Sequence, residues 1–360
     1  MRIVFIQNLI YKIRDSIKLL KLNNKIKNAK YIHLMFNDKF NKPFVDFLNR
    51  NFDNNEHIVL CKRWCEEHPF PEGKNVIEIK TLRGLDFTKA NKIICHSLFD
   101  LELVDYLYSH QDILKNKAYW VMWGGDLYEA PRDEKNDFVR KHFKGYISDT
   151  DGDCEVAMQK YNSYPETYNA GYTFPITKEM LDAAKRTEYD YVQIQINNSA
   201  DKTTLEMLDI LSKFKNENIK ITTILSYGKI QFKDEIIKKG KEIFNDKFEY
   251  VVNYMSPKQY AQYLAQNDIL ILNQNRQQGL GNSFANLALG SKVFIKSEIT
   301  TYNHFNSKGI KVFDTNKIKE INFEEFISYP EETRKNNMQK SLIFFDDEYL
   351  QELWKEVFNE

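Results

Sequence analysis

Short apolar runs alternate along the chain with segments whose apolar positions recur at helical spacing. The run 31–36 is followed by polar residues and then by a helical pattern over 41–51. Runs of four to six apolar residues are typical of strands buried on both faces in a parallel sheet. The alternation predicts an α/β protein. The predicted strands are 31–36, 57–60, 76–79, 92–95, 119–123, 145–148, 189–196, 219–225, 248–252, 269–272 and 292–295.

The alternation is interrupted at 161–185, where Pro165, Gly171, Pro175 and a charged segment indicate a linker. We therefore expect two Rossmann-like domains, at 29–175 and 188–330, facing a cleft. Such a cleft suits an enzyme that brings together two substrates, one bound by each domain. A basic extension precedes the first domain at 1–28, and a helical tail follows the second at 331–360.

The apolar strand 269–272 leads into a polar segment that contains Arg276, Gly279 and Gly281 and continues into a predicted helix at 283–290. A strand, a glycine turn and a helix form a common phosphate site, because backbone N–H groups and the helix dipole both favour an anion there. A guanidinium just before the turn can bind phosphate oxygens. A tight turn without a ligand is the alternative that the spacing leaves open.

The extension has an apolar stripe at Ile10, Ile13, Ile17 and Leu20, surrounded by lysine and arginine residues. A basic amphipathic helix can lie on an anionic membrane surface. A helix that packs on its own domain and exposes a basic face to solvent would have the same pattern. The sequence supports both interpretations.

Composition narrows the classes of function. The 51 basic and 51 acidic residues cancel, so the charge gives no argument for nucleic acid as a partner. Four cysteines in 360 residues do not form a disulfide framework, and a reducing cytoplasm is the expected compartment. We expect no signal peptide at the start of this sequence and no membrane span, because no apolar run approaches about 18 residues.

Polar residues follow several predicted strands, at the edge where parallel sheets bind ligands: Asp38, His96, Asp126 and Asp149. Asp126 follows two glycines and is the first candidate for a general base, while His96 is the second. Each has a structural alternative. Asp126 could cap the next helix, and His96 could bond to backbone in its turn.

Two clusters contain residue types that can bind a metal. The segment Asp149-Thr150-Asp151-Gly152-Asp153 lacks the ligand order of a calcium loop, and a strand-to-helix turn with Asp153 near a helix N-terminus fits it better. The zinc-ligand types His57, Cys61, Cys65 and His68 lie around an apolar strand that would direct them apart. We expect no metal and no cofactor.

Four motifs occur in order along the chain: His-Ser-Leu-Phe at 96–99, Trp-Gly-Gly-Asp-Leu-Tyr at 123–128, Asn-Ser-Ala-Asp at 198–201 and Arg-Gln-Gln-Gly-Leu-Gly at 276–281. Together they resemble the TDP-N-acetylfucosamine:lipid II N-acetylfucosaminyltransferase family, glycosyltransferase family 56. The resemblance covers roughly residues 29–320. It implies a GT-B fold whose C-terminal helix crosses back to the N-terminal domain.

The resemblance also implies a reaction. A deoxy-amino sugar similar to N-acetylfucosamine would pass from a nucleotide-sugar donor, with dTDP favoured, to an undecaprenyl-diphosphate-linked saccharide in bacterial surface glycan synthesis. The enzyme would then be cytoplasmic and peripheral on the inner face of the cell membrane. The first domain would bind the acceptor and the second the nucleotide sugar.

The expected site residues fall into two groups, besides the catalytic candidates Asp126 and His96. The acceptor-side residues are Asp38, Trp123, Gly124, Gly125 and Tyr128. The donor-binding residues are Asn198, Ser199, Asp201, Lys202, Tyr227, Gly228, Arg276, Gln277, Gln278, Gly279, Gly281 and Asn282.

The chain departs from the family pattern in three ways. It has the extension 1–28, it has Gly125 in place of alanine, and its loop 198–204 has Ala200 for glycine and apolar or hydroxyl residues for basic or polar ones. The last departure concerns the donor sugar or base, which the sequence leaves open. A nucleotide-sugar epimerase, or a non-catalytic module that binds sugar or nucleotide, remains an alternative function.

Overall fold

The computed structural model describes residues 16–226 and 228–359, and these form two compact units. The first unit comprises the chain up to Thr173 together with the segment from Leu350 onward. The second comprises Phe174–Tyr349. The last helix, Asp347–Asn359, therefore begins in the second unit and ends in the first.

A parallel seven-stranded sheet forms the centre of the first unit, in the order β3-β2-β1-β4-β5-β6-β7. The order reverses between β1 and β4, and such a switch point marks the ligand-binding edge of an open α/β sheet. The strands are β1 (Tyr31–Phe36), β2 (His57–Lys62), β3 (Val76–Ile79), β4 (Lys92–His96), β5 (Ala118–Val121), β6 (Gly145–Ser148) and β7 (Glu166–Asn169).

Helices cover both faces of this sheet. One face packs against Asn41–Asn51 and the end of Asp347–Asn359, whose Trp354 is fully buried and donates from Nε1 to the carbonyl of Gly171 at 2.8 Å. The remaining helices of the unit are 16–26, Leu101–Ser109, Gln111–Lys117, Gly125–Tyr128, Glu134–Lys141 and Asp151–Tyr161. The predicted turn at Asp149–Asp153 is thus confirmed as the start of a helix.

The second unit has a parallel six-stranded sheet in the order β10-β9-β8-β11-β12-β13, with the switch between β8 and β11. Its strands are β8 (Val192–Ile196), β9 (Ile219–Ile224), β10 (Phe248–Val251), β11 (Ile269–Leu272), β12 (Lys292–Ile295) and β13 (Phe313–Asp314). The α-helices are Lys178–Ala183, Lys202–Leu211, Ile230–Phe244, Pro257–Leu264, Leu280–Ala288, Thr300–Ser307, Phe323–Ile327 and Glu331–Leu342; 3₁₀ turns lie at Ser212–Phe214, Asn245–Lys247, Thr315–Lys319 and Ile343–Phe345.

The interval 161–185, predicted to be a linker, contains the boundary between the two units at Thr173 and Phe174, but it also contains regular structure, namely β7 and the helix Lys178–Ala183. Strand β7 lies at the edge of the sheet, where only Tyr168 of its four residues is buried. One buried residue leaves no apolar run for sequence analysis to detect. The helix Gln111–Lys117 was also missed, and β5 ends at Val121 rather than at 123.

The described part of the extension is a helix over 16–26 that packs on the first unit. Leu19 and Leu22 contact the core and Ile26 is fully buried, whereas Ile17 and Leu20 are 48% and 63% exposed. The helix therefore packs on its own domain and still exposes two members of the predicted stripe. The other two members, Ile10 and Ile13, lie outside the described residues.

Within residues 16–226 and 228–359, no helix is long and apolar enough to cross a membrane.

Candidate functional site

Three loops meet at the carboxyl edge of the second sheet, beside its switch point. They follow β8, β9 and β11 and contain most of the predicted donor-binding residues. The loop after β9 joins the loop after β8 through a bridge between Gly228 and Ala200, and Lys229 donates its backbone N–H to the Ala200 carbonyl at 2.9 Å. Loops that converge at a switch point form a ligand site in this class of sheet.

Asn198 joins the loop after β8 to the loop after β11. Its Oδ1 accepts from Gln274 Nε2 at 3.1 Å, and a Cβ on Gly279 would lie 2.5 Å from its amide nitrogen. Gly279 has φ of +72°, a conformation that side chains other than glycine rarely adopt. Gln274 is 3% exposed, and its Oε1 accepts no hydrogen bond from the described residues.

A second link between the same loops passes through Ser199. Gln278 Nε2 donates to its hydroxyl at 2.8 Å, and the hydroxyl donates to Asp201 Oδ2 at 3.0 Å. Asp201 caps the helix Lys202–Leu211 by accepting from the backbone of Thr203 and Thr204. Its carboxylate therefore serves the fold, as an N-cap does.

The helix Leu280–Ala288 begins at Gly279 without any side-chain cap. The first N–H groups of a helix have no acceptor within it, and they carry the positive end of the dipole. Arg276, four residues upstream of the helix, is half-buried and donates from Nη1 to the Gln277 carbonyl at 2.9 Å. Phe174 packs so close to Gly281 that a Cβ there would lie 2.6 Å from its ring.

Some predicted donor-binding residues are not tied into this network. Tyr227 lies outside the described residues. Lys202 is the exposed first residue of its helix, and Asn282 accepts from the Asn286 side chain through its carbonyl at 2.8 Å. Gly228 is joined to the network only through its bridge to Ala200 among the described contacts; it is exposed with φ of +105°, and a Cβ there would lie 2.5 Å from the Ala200 carbonyl oxygen.

In the first unit, Asp126 is buried and fully engaged with N–H donors. Its Oδ2 accepts from the Leu98 backbone at 2.9 Å and from Trp120 Nε1 at 2.7 Å, while Oδ1 accepts from the Trp123 backbone at 2.8 Å. Burial raises the pKa of this carboxyl group, although the three hydrogen bonds act in the opposite direction. The geometry favours a structural role for Asp126, which lies inside its short helix rather than at the cap.

The glycines before Asp126 allow the turn that aims its carboxylate back at the strand ends. Gly124 has φ of +76°, and Gly125 donates its backbone N–H to the Trp123 carbonyl at 2.9 Å. A Cβ on Gly125 would lie 2.9 Å from the Phe99 ring, so an alanine here would displace that ring. Tyr128 donates its hydroxyl to Asp153 at 2.6 Å, in the first turn of the helix Asp151–Tyr161.

His96, at the end of β4, belongs to a line of hydrogen-bonded side chains. Its Nε2 bonds to His33 Nδ1 at 2.9 Å, and His33 Nε2 bonds to His57 Nδ1 at 3.1 Å. At the other end, His96 Nδ1 bonds to the Tyr172 hydroxyl. All three histidines are at most 2% exposed. Burial lowers the pKa of His96 to about 3 and that of His57 to about 4.

Aromatic rings cluster around the carboxyl edge of the first sheet. Trp123 has ring centroids 5.6 Å from Phe36, 5.9 Å from Phe40 and 5.5 Å from Tyr172. Trp64 packs against Phe36 with ring centroids 4.6 Å apart and planes tilted by 42°, and it is 57% exposed. Such rings offer flat apolar faces of the kind that line ligand sites.

Two partly exposed carboxylates lie near this aromatic cluster. Asp38 and Asp149 both raise the pKa of Tyr172, as does the buried Asp126, and burial raises it more than any of them. Asp149 is held against Gly171, where a Cβ would overlap its carboxylate. Asp38 and Trp123, two of the residues expected on the acceptor side, thus belong to one local group of side chains.

The described residues include no group of three or more His, Cys, Asp or Glu side chains that could hold a metal ion. His57 is committed to His33, and Cys61 donates from Sγ to the carbonyl of Lys62 at 3.6 Å. Burial raises the pKa of Cys61 to about 12, which disfavours the thiolate that binds zinc.

Four residues of these hydrogen-bonded networks have no site role in the sequence analysis: His33, His57, Tyr172 and Gln274. A signal existed for the histidines, because both lie in predicted apolar strands where a polar residue needs a partner. Tyr172 lay in the supposed linker. Gln274 was read as part of the motif stretch, and only its burial distinguishes it from neighbouring glutamines.

Comparisons with known proteins identify the class. A family model described as "4-alpha-L-fucosyltransferase glycosyl transferase group 56" matches residues 72–360. No curated protein matches the sequence.

Solved structures share the fold. A glycosyltransferase from Rickettsia africae has 11% identity and a TM-score of 0.64, covering 92% of this chain and 98% of that one. The sucrose-phosphate synthase of Thermosynechococcus elongatus has 10% identity and a TM-score of 0.66, with 92% and 98% covered. An α,α-trehalose-phosphate synthase from Burkholderia vietnamiensis has 8% identity and a TM-score of 0.61, with 92% and 100% covered. These likenesses establish the two-domain α/β fold of GT-B type.

Proposed function

Since the chain belongs to the 4-alpha-L-fucosyltransferase family, glycosyl transferase group 56, and is a glycosyltransferase, we propose a specific transfer for it. The donor is a nucleoside-diphosphate sugar. Its favoured nucleotide is dTDP, and its sugar is a deoxy-amino sugar similar to N-acetylfucosamine. The acceptor is a saccharide on undecaprenyl diphosphate, and the product enters bacterial surface glycan synthesis. The observation that carries the donor half is the convergence of three loops on an uncapped helix N-terminus in the second unit.

The donor diphosphate binds at the start of the helix Leu280–Ala288. The N–H groups of this first turn and the guanidinium of Arg276 supply positive charge to the oxygens of the leaving group. As the glycosidic bond to the diphosphate breaks, negative charge accumulates on those oxygens and the fixed donors stabilise it. A bulkier residue at Gly279 would displace Asn198 from the same site.

Asn198, Gln274 and Gln278 form the polar floor of this donor site. The amide of Gln274 has its nitrogen bonded to Asn198, and its oxygen is buried without a donor among the described residues. A buried acceptor without a donor costs about 1–3 kcal/mol, and a ligand that donates a hydrogen bond there recovers this cost. An N–H or O–H of the donor sugar or base would serve.

The acceptor saccharide binds to the aromatic cluster of the first unit, around Trp123 and Phe40. Sugar rings present C–H faces that pack on aromatic side chains, and Asp38 and Asp149 supply acceptors for hydroxyl groups. Asp126 stabilises the turn at 123–126 by accepting hydrogen bonds from Leu98, Trp120 and Trp123. Its assignment as the general base stays a prediction, and its three N–H partners favour the positioning role.

The membrane role proposed for the chain rests on the helix 16–26. Ile17 and Leu20 are exposed beside the exposed Lys18, Lys21 and Lys25. Exposed apolar residues among lysines bind an anionic bilayer surface, where each basic residue near the surface contributes about 1 kcal/mol. An enzyme held there would meet a lipid-linked acceptor on the cytoplasmic face.

Incubation of the full chain with a panel of dTDP-, UDP- and GDP-sugars, with and without a lipid-diphosphate-linked disaccharide, tests the proposal. Release of nucleoside diphosphate that depends on the acceptor, with dTDP sugars preferred, supports it. Gly279→Ala is the matched probe of the donor site, and Gly309→Ala, at another positive-φ glycine of the same unit, is its control. Loss of donor binding in both variants alike, or transfer from every nucleotide equally, would contradict the proposal.

A further inference from the structure

Three buried histidines lie on neighbouring strands of the first sheet and form one diagonal line. His33 pairs in register with Val59 of β2 and with Ile94 of β4, and the line steps two residues along each neighbour to reach His57 and His96. A step of two residues keeps each side chain on the same face of the sheet. The line therefore runs from the amino end of β2 to the carboxyl end of β4, where Tyr172 completes it.

The line is enclosed by aromatic rings. Phe44 and Trp354 pack against His96 with centroids 4.9 Å and 6.3 Å away, and Phe358 packs 4.6 Å from His57. Phe44 belongs to the helix Asn41–Asn51, and Trp354 and Phe358 belong to the helix Asp347–Asn359, so both helices present apolar rings to the line of histidines.

The charged groups that act on the line lie at its two ends. Glu56, Asp53 and Lys30 act on His57. At the Tyr172 end the carboxylates are Asp38, Asp126 and Asp149.

Hydrogen-bond counting makes the line act as one unit. A neutral imidazole has one N–H donor and one acceptor nitrogen, and His33 and His96 each use both nitrogens within the line. Each of them must donate at one end and accept at the other, so all three bonds run in the same direction. The direction of the Tyr172 hydroxyl is therefore coupled to the tautomer of His57.

We propose that Tyr172 contacts the acceptor hydroxyl during glycosyl transfer and that His96, His33 and His57 carry the released proton away from it. The proposal rests on the proposed function only in requiring a hydroxyl acceptor. Tyr172 is the catalytic residue, because it touches the reacting group, and His33 and His57 act through it. Tyr172 is half-buried, and its ring lies in the aromatic cluster around Trp123.

The proton balance is as follows. The acceptor oxygen forms its bond to the anomeric carbon, and the bond from that carbon to the diphosphate oxygen breaks with its electron pair leaving on the nucleoside diphosphate. The acceptor proton passes to the Tyr172 oxygen as the proton of Tyr172 moves to His96 Nδ1. The Nε2 proton of His96 moves to His33 Nδ1, and that of His33 moves to His57 Nδ1.

The positive charge then lies on His57, beside the carboxylates of Glu56 and Asp53. These raise the pKa of His57 against the lowering effect of burial, whereas the neighbouring histidines only lower that of His33. His57 is accordingly the member of the line that holds a charge most easily. The proton returns by the same route to the released nucleoside diphosphate or to water.

The test uses the full chain with His33→Gln and Tyr172→Phe. A glutamine donates and accepts one hydrogen bond each but cannot pass a proton, so the line predicts a kcat lower by about 10²–10⁴-fold with donor KM changed less than twofold. The double variant should be no slower than the slower single variant, because both interrupt one path. His110→Gln is the control, since His110 is exposed and bonds only to the carbonyl of Tyr106 among the described side-chain contacts.

If the three histidines serve only the fold, the kcat of folded His33→Gln will lie within twofold of the wild-type value. That result would overturn the proposal. If His33→Gln does not fold, ¹⁵N NMR of labelled histidines in wild type and Tyr172→Phe decides. Coupled tautomers predict altered Nδ1 and Nε2 shifts at His57 as well as at His96. Changes confined to His96 overturn the relay.

The two proposals fail separately. An inactive wild type with every donor and acceptor contradicts the proposed function, and the NMR result still decides on the coupled line. An active wild type with an equally active His33→Gln contradicts the relay alone.

Discussion

Replacing Asp126 by asparagine tests whether this carboxylate stabilises the carboxyl edge of the first sheet or acts as a general base. The aspartate accepts three N–H groups at 2.7–2.9 Å while only 1% exposed. An asparagine has one acceptor oxygen, so its NH₂ group must face at least one of these donors. The sequence-based expectation for a catalytic base was a normal melting temperature with a large fall in kcat.

The magnitude follows from the contacts. One charge-assisted hydrogen bond lost costs about 1.5–3 kcal/mol, and a buried N–H left without an acceptor costs about 1–3 kcal/mol. Part of this loss is offset, because a neutral asparagine side chain does not have the desolvation cost of a buried carboxylate. We expect a net loss of about 2–5 kcal/mol in the free energy of unfolding. For a domain of this size that corresponds to a melting temperature lower by roughly 5–15 °C.

Thermal unfolding and single-turnover kinetics of Asp126→Asn are measured together, with Asp105→Asn as the control. Asp105 is an exposed carboxylate that pairs with Lys135, so its loss should cost about 0–1 kcal/mol. We expect Asp126→Asn to retain transfer below its melting transition, with a raised acceptor KM if the turn at 123–126 shifts. A wild-type melting temperature with kcat reduced a hundredfold or more would refute the positioning role and restore Asp126 as the base.

Four further outcomes are expected. Arg276→Ala should weaken nucleoside-diphosphate binding by about 1.5–3 kcal/mol with an unchanged fold, and equal affinity in calorimetry would contradict its phosphate role. EDTA should leave turnover intact, whereas a loss restored by magnesium or manganese would show that a metal is needed. Ile17→Ser with Leu20→Ser should reduce sedimentation with anionic vesicles but not stability, while Leu19→Ser should do the reverse; unchanged sedimentation refutes the membrane role. His57 and His96 have pKa values of about 4 and 3 in the folded chain and about 6.5 when exposed, so the unfolded chain binds more protons below pH 6.5. The free energy of unfolding should therefore fall from pH 6.5 toward pH 4, by up to about 1.4 kcal/mol per pH unit for each histidine. Urea unfolding at pH 7, 6 and 5 checks the slope, and a flat profile contradicts the neutral buried line.

The predictable part of the fold is the part with strong periodicity. Strands β1, β6, β11 and β12 and the helix Asn41–Asn51 have the predicted bounds, because each strand is buried along its length and the helix buries one face. Strand β3 also has the predicted bounds, although only Ile79 of its four residues is buried, because its apolar residues Val76, Ile77 and Ile79 mark it in the sequence. Strand β7 and the helix Gln111–Lys117 could not be found, since each buries only one or two residues. Burial in these elements is decided by neighbours distant in sequence.

The contacts at the carboxyl edge of the second sheet were more predictable than those at the carboxyl edge of the first sheet. A glycine turn after an apolar strand indicates a phosphate site from local sequence alone, and the structure joins Asn198, Ser199, Gln278 and Gly279 there. The function of Asp126 depended on which donors surround it, and two of the three lie on residues that its own motif does not contain. The histidine line joins residues 24 and 63 positions apart, which only the sheet register brings together.

Acceptor-dependent release of nucleoside diphosphate by the wild-type chain decides whether the protein carries out the proposed transfer. We expect that a dTDP-linked deoxy-amino sugar and an undecaprenyl-diphosphate-linked saccharide together give rapid release of dTDP and a lipid product larger by one sugar. We also expect that Arg276→Ala loses this release while Arg334→Ala, on the surface of the same unit, keeps it. Release that is independent of any acceptor, or conversion of the free nucleotide sugar to an epimer, would contradict the proposed function.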